Sequence, residues 1–211
     1  MSQHEFSPSC SRTSIEAVAR ELHSNAYSLP GAHFIAPLNQ GDSDGLCGLY
    51  CLINAIRIVM APYRELDREE VRALFTAGVG FLARRGTLLE AVHSCVGERE
   101  WPKLARHLVA TSQDIVGRPI LLERAKLSQG VSTHEAIQRI EGMITSGTAP
   151  CVFLRGKYQH YTVISGYTPL SFKLFDSFGF HRVWRRSCGT RSTPGSRHRF
   201  HMQSIITLMV L

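Results

Sequence analysis

No stretch of the 211 residues approaches the run of roughly 18 apolar residues that a membrane span requires. The opening residues, Met1-Ser2-Gln3-His4-Glu5-Phe6, carry no basic segment followed by an apolar one. The expectation is a protein of a reducing cytoplasm, with export by a non-Sec secretion system, which needs no such leader, left open. Internal repeats and low-complexity tracts are absent as well. The six cysteines, Cys10, Cys47, Cys51, Cys95, Cys151 and Cys188, form no pair at zinc-finger spacing with a second Cys/His pair behind it, so no metal is expected. Apart from Cys47, buried reduced thiols are the plain reading, because the chain is long enough to fold without crosslinks. Acidic residues are missing from Ser177 onward, where Arg182, Arg185, Arg186, Arg191, Arg197 and Arg199 fall, within an overall charge of +7. Such a cluster suits a solvated basic loop or an acidic partner. No nucleic-acid-binding motif accompanies Trp184 and Phe200, so nucleic acid is not an expected partner.

What is present supports a sizeable core: 44% of residues are hydrophobic. Residues 1–12 read as a loose polar tail, leaving 13–211 as one domain. Ile15, Val18, Ala19 and Leu22 keep helical spacing and predict a helix from Ser14 to about Tyr27, stopped by Pro30-Gly31. A short extended segment, His33 to Ala36, leads into Asn39-Gln40-Gly41-Asp42-Ser43-Asp44-Gly45, which is turn chemistry throughout. From Leu46 to Met60 the chain is apolar on nearly all sides, as a central buried helix is, and Pro62 ends it. Asp67 caps a further helix, and helical patterns cover Leu88 to Val96 and Lys103 to Thr111. Ser132-Thr133-His134-Glu135 reads as a capping box for another. After Gly147 the pattern becomes that of strands: Cys151–Leu154, His160–Tyr167, Phe172–Asp176 and Ile205–Val210, with 187–200 as a mobile loop. Helices in the first half and an antiparallel sheet in the second make an α+β fold.

A cysteine where a Gly/Asp-rich turn becomes a buried helix is chemically suggestive. Unpaired N–H groups and the helix dipole there favour a thiolate, and the same N–H groups suit an oxyanion. Gly48 next to Cys47 is expected to leave room for a substrate carbonyl. Cys51, one turn deeper, reads as a packed core thiol. Nine of the ten histidines have no claim beyond surface or core placement, but His160 opens a strand, so its ring can project from the sheet edge. The following strand ends in Asp176, sixteen residues later in the chain. A hairpin of that length brings the carboxylate back beside the imidazole, where it can fix the tautomer and stabilise the imidazolium.

Gln40 with Cys47-Gly48, His160-Tyr161-Thr162-Val163-Ile164 and Phe175-Asp176-Ser177-Phe178-Gly179 resemble the papain-like cysteine peptidase superfamily. The nearest likeness is to its bacterial branch that includes the double-glycine leader peptidases. About a dozen positions between 36 and 180 carry it. The resemblance implies a papain-like fold, a central helix beginning at the nucleophile and packed on the sheet. It also implies a Cys47, His160, Asp176 triad, and an oxyanion hole formed by Gln40 with the Cys47 N–H. Gln40 stands seven residues before Cys47, one more than is usual in that branch, and Asn39 and Asp44 are alternatives for its place. The run Asp44 to Cys51 also resembles ubiquitin-like-protein proteases, but those place the His before the Cys.

The expected activity is therefore thiol-dependent hydrolysis of an amide bond in a peptide or protein, through an acyl-enzyme and without metal or organic cofactor. The same triad serves a glutamine deamidase or an acyl transferase, as in papain-like bacterial effectors. A non-catalytic binding domain that uses the arginine-rich segment 182–199 is the alternative from another class.

Overall fold

The computed structural model describes residues 26–41, 44–125, 127–128 and 130–211. The predicted tail and all but the end of the predicted Ser14–Tyr27 helix lie outside the described residues. Tyr27 itself belongs to a short strand, β1 (Tyr27–Ser28), paired with Tyr167 and Gly166. The central helix α1 (Cys47–Met60) begins at Cys47, and thirteen of its fourteen residues are buried. Its all-round apolar surface has a place to go because it packs along three strands of the sheet and against two further helices.

Helix α2 (Arg68–Arg84) starts with a complete capping box. Asp67 accepts from the N–H groups of Glu69 and Glu70 at 2.8 and 2.9 Å, and Glu70 accepts from the Asp67 N–H at 2.9 Å. A short helix α3 (Leu88–Ser94) and a longer α4 (Trp101–Val116) follow. In α5 (Thr133–Thr145) only half of the expected box forms. Ser132 accepts from the Glu135 N–H at 3.1 Å, but the Glu135 carboxylate pairs with Arg139. Gly147 (φ 82°) turns the chain into the sheet.

The main strands are β2 (Ile120–Arg124), β3 (Ala149–Gly156), β4 (His160–Tyr167), β5 (Ser171–Phe175), β6 (Arg182–Trp184) and β9 (Ile206–Val210). They form one sheet in the order β2-β9-β3-β4-β5-β6, and all neighbours along that path are antiparallel. The α+β architecture follows directly. Strand β4 holds the middle and is buried along seven of its eight residues, His160, Thr162 and Ser165 included. Among the described residues no helix is long and apolar enough to cross a membrane.

Three expectations are corrected. His33 to Ala36 is not extended; Pro30–His33 forms a 3-10 turn. Proline sits at its first position and Gly31 presses onto α1, where a Cβ would fall 1.8 Å from the Ile58 carbonyl oxygen. Residues 187–200 are a built segment rather than a loose loop. It contains β7 (Cys188–Gly189) and β8 (His198–Phe200), and β8 pairs with the far half of β3. Its Ser/Thr content serves internal bonds: the Thr190 hydroxyl donates to the Val131 carbonyl at 2.9 Å, and the Thr190 N–H donates to the Thr193 hydroxyl at 2.9 Å. Finally, β2 and β6 extend the sheet at both edges, where the residue pattern predicts no strand. Both are too short to show alternation, and β2 is fixed by its pairing with β9.

Asp67→Ala removes both acceptor bonds of the α2 cap. The expected cost is about 1 kcal/mol, a fall in Tm of about 2–4 °C for a chain of this size, read by thermal denaturation with thiol labelling unchanged.

Candidate active site

Two buried polar residues on α1 steer the chain toward the helix start. Asn54 accepts from the Leu38 N–H at 2.8 Å and donates back to its carbonyl at 3.3 Å, while Arg57 donates to the Ala36 carbonyl at 2.9 Å. This anchors 36–38 along the helix and delivers Gln40 to the end of β5. There the Gln40 N–H donates to the Ser177 carbonyl at 2.8 Å and its side-chain oxygen accepts from the Ser177 hydroxyl at 3.2 Å. The Gln40 amide nitrogen donates to the Asp44 carbonyl. Asp44 caps the turn by accepting from the Leu46 N–H at 3.0 Å, and the Gly45 N–H donates to the Val92 carbonyl at 2.6 Å.

Cys47 follows as the first residue of α1, with a side chain almost wholly buried. Leu46 at the cap offers no acceptor, so no side chain competes for the first N–H groups. The backbone N–H groups of Gly48 and Tyr161 favour the ionised form of the sulfur. A stronger influence opposes them. Cys47 Sγ donates to Cys95 Sγ at 3.3 Å, and that bond together with burial pushes the Cys47 thiol up. Cys95 moves the other way, lowered to about 7 by the same bond and by the charge of His160, against the effect of burial. The pair thus releases one proton readily and holds the second.

His160 opens β4, and its Nε2 lies 2.8 Å from Oδ2 of Asp176, which directly follows β5. The hairpin returns the carboxylate to the imidazole as the spacing predicts. The other carboxylate oxygen accepts from the Phe178 and Phe180 N–H groups at 2.8 and 3.2 Å. Burial alone would raise the Asp176 pKa; the bond to His160, its charge and the Phe178 N–H outweigh this and bring it below the usual carboxylate value. Phe178 and Phe180 stand edge-on to the ring at 6.1 and 5.6 Å and wall off the pair. With Nε2 committed to Asp176, Nδ1 is the nitrogen left for a thiol.

No family model matches the chain, and no curated protein matches it. Among solved structures there is a likeness to a crystal structure from Bacillus anthracis, whose assignment as a C39-like peptidase is itself provisional. It has a TM-score of 0.29 and 13% identity, over 50% of this chain and 57% of that one. This chain thus spans little more than half the length of that structure. A likeness so distant bears no weight, and the chemistry of the site is read from its side chains alone.

The four residues singled out from the sequence converge. Asp176 holds His160, Gln40 bonds to the residue after Asp176, and Cys47 begins the helix that packs along the strand His160 opens. The thiol and imidazole are not hydrogen-bonded to each other; Cys95 occupies the thiol instead. Cys51 is fully buried against Cys151, as a core thiol. A Cβ at Gly48 would meet Val96 Cγ2 at 3.0 Å and the Trp101 ring at 3.3 Å, so packing by itself gives a reason for the glycine. Cys95 has no signature in the sequence because its contact spans 48 residues. In the structure Cys95 follows α3 with φ 76° and ψ 165°, a backbone conformation that essentially only glycine adopts without strain.

The lowered Asp176 pKa fixes the sign of one pH dependence. The stabilisation is fully present above the unfolded-state value of about 3.9 and is lost as pH falls through the lower folded-state value. Asp176→Asn is expected to flatten the acid limb of urea stability measured between about pH 2 and 6; an unchanged acid limb would contradict the pairing.

Proposed function

We propose that the chain is a thiol hydrolase of the papain-like type, residues 13–211 forming one such domain, that cleaves an amide bond in a peptide or protein. The observation that carries this reading is the buried His160–Asp176 pair at the rim of the sheet, which packs against the helix that Cys47 begins. For reaction, Cys47 exchanges Cys95 for the imidazole. His160 takes the thiol proton at Nδ1 as the sulfur attacks the substrate carbonyl, and Asp176 stabilises the imidazolium through Nε2–H. The tetrahedral oxyanion is received by the Cys47 N–H and by a Gln40 amide hydrogen. Collapse of the intermediate expels the amine, which takes its proton from His160. Water, deprotonated by the same ring, then releases the acid and restores the thiol. No step calls for a metal or an organic cofactor.

The same residues serve a glutamine deamidase or an acyl transferase. The intact mass of a candidate substrate separates these outcomes: fragments for a peptidase, a gain of about one mass unit for a deamidase, an added acyl acceptor for a transferase. The site acts in the cytoplasm, or in a target cell after non-Sec export.

Cys47→Ala is expected to abolish both turnover and labelling by an electrophilic thiol probe at that position, while Cys51→Ala leaves both intact. Asp176→Asn is expected to lower kcat by roughly 10²–10⁴-fold. Turnover that survives Cys47→Ala and disappears in Cys95→Ala would move the nucleophile to Cys95.

A further inference from the structure

The proposed reaction gives Cys95 no part to play, yet its sulfur occupies the candidate nucleophile. Cys47 Sγ and Cys95 Sγ lie 3.3 Å apart and must close by little more than an ångström to reach the bonded distance of about 2.05 Å. Their backbones are tied together on both sides of the pair. On the near side, the Gly45 N–H donates to the Val92 carbonyl at 2.6 Å. On the far side, Val96 sits so close to Gly48 that a Cβ there would meet its Cγ2 at 3.0 Å, and the Val96 carbonyl accepts from the Tyr161 hydroxyl at 3.2 Å. With 45–48 bracketed against 92–96 in this way, joining the sulfurs asks for little backbone movement.

Two further observations fall on Cys95. Its φ of 76° and ψ of 165° lie where a side chain is strained and glycine is at ease, and strain of this kind gathers at functional sites. The position holds a thiol in contact with Cys47 instead of a glycine. Cys95 is also partly exposed whereas Cys47 is buried, so a small oxidant meets Cys95 first. The bond from Cys47 and the charge of His160 lower Cys95 to about 7 against the effect of burial, which supplies the reactive thiolate near neutral pH. Cys51 and Cys151 make another neighbouring pair, but both are buried and serve as an internal control.

We propose that Cys47 and Cys95 form a reversible disulfide when the protein meets hydrogen peroxide, Cys95 being oxidised first and Cys47 resolving it. The Cys95 thiolate attacks one peroxide oxygen, the O–O bond breaks, and Cys95 becomes a sulfenic acid. The hydroxide that leaves takes up the proton Cys95 released and becomes water. Cys47 then attacks the sulfenic sulfur, the S–O bond breaks, and the hydroxyl departs as a second water with the Cys47 proton. Two thiols are oxidised and one peroxide is reduced to two waters. A dithiol reverses the bond by exchange. Control of turnover by this bond rests on the proposed hydrolase role of Cys47; the bond itself does not.

The test treats the reduced full chain with a small molar excess of hydrogen peroxide near neutral pH. Intact mass is expected to fall by about two units, with a Cys47–Cys95 crosslinked peptide in the digest. Labelling of Cys47 by an electrophilic probe is expected to be lost with it, and dithiothreitol to restore both, while Cys51 and Cys151 stay reduced. In Cys95→Ser the crosslink is expected to be absent and the loss of Cys47 labelling slowed, because the buried sulfur then meets peroxide unaided. Cys95→Gly suits the backbone conformation, so it is a second variant expected to fold, with the same result. Oxygen additions at either cysteine without a crosslink, a crosslink between other cysteines in its place, or equally fast loss of Cys47 labelling in both variants would overturn the proposal. A Cys47–Cys95 crosslink that leaves amide hydrolysis running would instead contradict the hydrolase role of Cys47 and leave the disulfide standing.

Discussion

The hydrogen bond between the buried His160 imidazole and the Asp176 carboxylate is the constraint on which the site depends. It joins the start of one central strand to the end of the next, so the sheet's register sets the ring's position. A buried carboxylate is tolerated only when its acceptors are filled, and here both oxygens are used, one by the ring and the other by two backbone N–H groups. The turn after Asp176 therefore cannot relax without exposing that charge. The same turn carries Ser177, to which Gln40 is tied, so the segment leading into α1 is registered on the same carboxylate.

A second chain of contacts brings the sulfur in. Asn54 and Arg57, polar residues inside an otherwise apolar helix, are explained by the backbone of 36–38 that they hold. Gly45 locks the turn onto the end of α3, and the Tyr161 ring ties β4 to α4 by stacking on Trp101 at 4.1 Å. The start of α1 is thereby fixed against the sheet, with Cys95 as the partner of the thiol.

The central helix, β4 and β5 are legible in the sequence because their signals are local: an apolar run following turn residues, and alternation bounded by polar ends. The His160–Asp176 contact is legible for the same reason, since a hairpin converts chain separation into proximity. Cys95 is not, because its approach to Cys47 is set by how α3 packs and how its last turn is finished at a positive φ. The segment 187–200 resembles a loop because Ser, Thr and Gly also satisfy backbone groups within tight turns, and its pairing partner β3 lies more than thirty residues earlier. At Gly48 the sequence suggests chemistry beside a candidate nucleophile, and the structure adds close packing against Val96 and Trp101, which no local pattern reveals.

The proposed reaction requires that the Cys47 sulfur be activated by His160. The most direct measurement is the alkylation rate at Cys47 as a function of pH, followed by peptide mass spectrometry in the Cys95→Ser variant, where the sulfur partner is gone. Activation by the imidazole predicts an apparent pKa well below the free-thiol value of about 8.5, returning toward it when His160→Ala is added. An ordinary or higher value that His160→Ala leaves unchanged would contradict it.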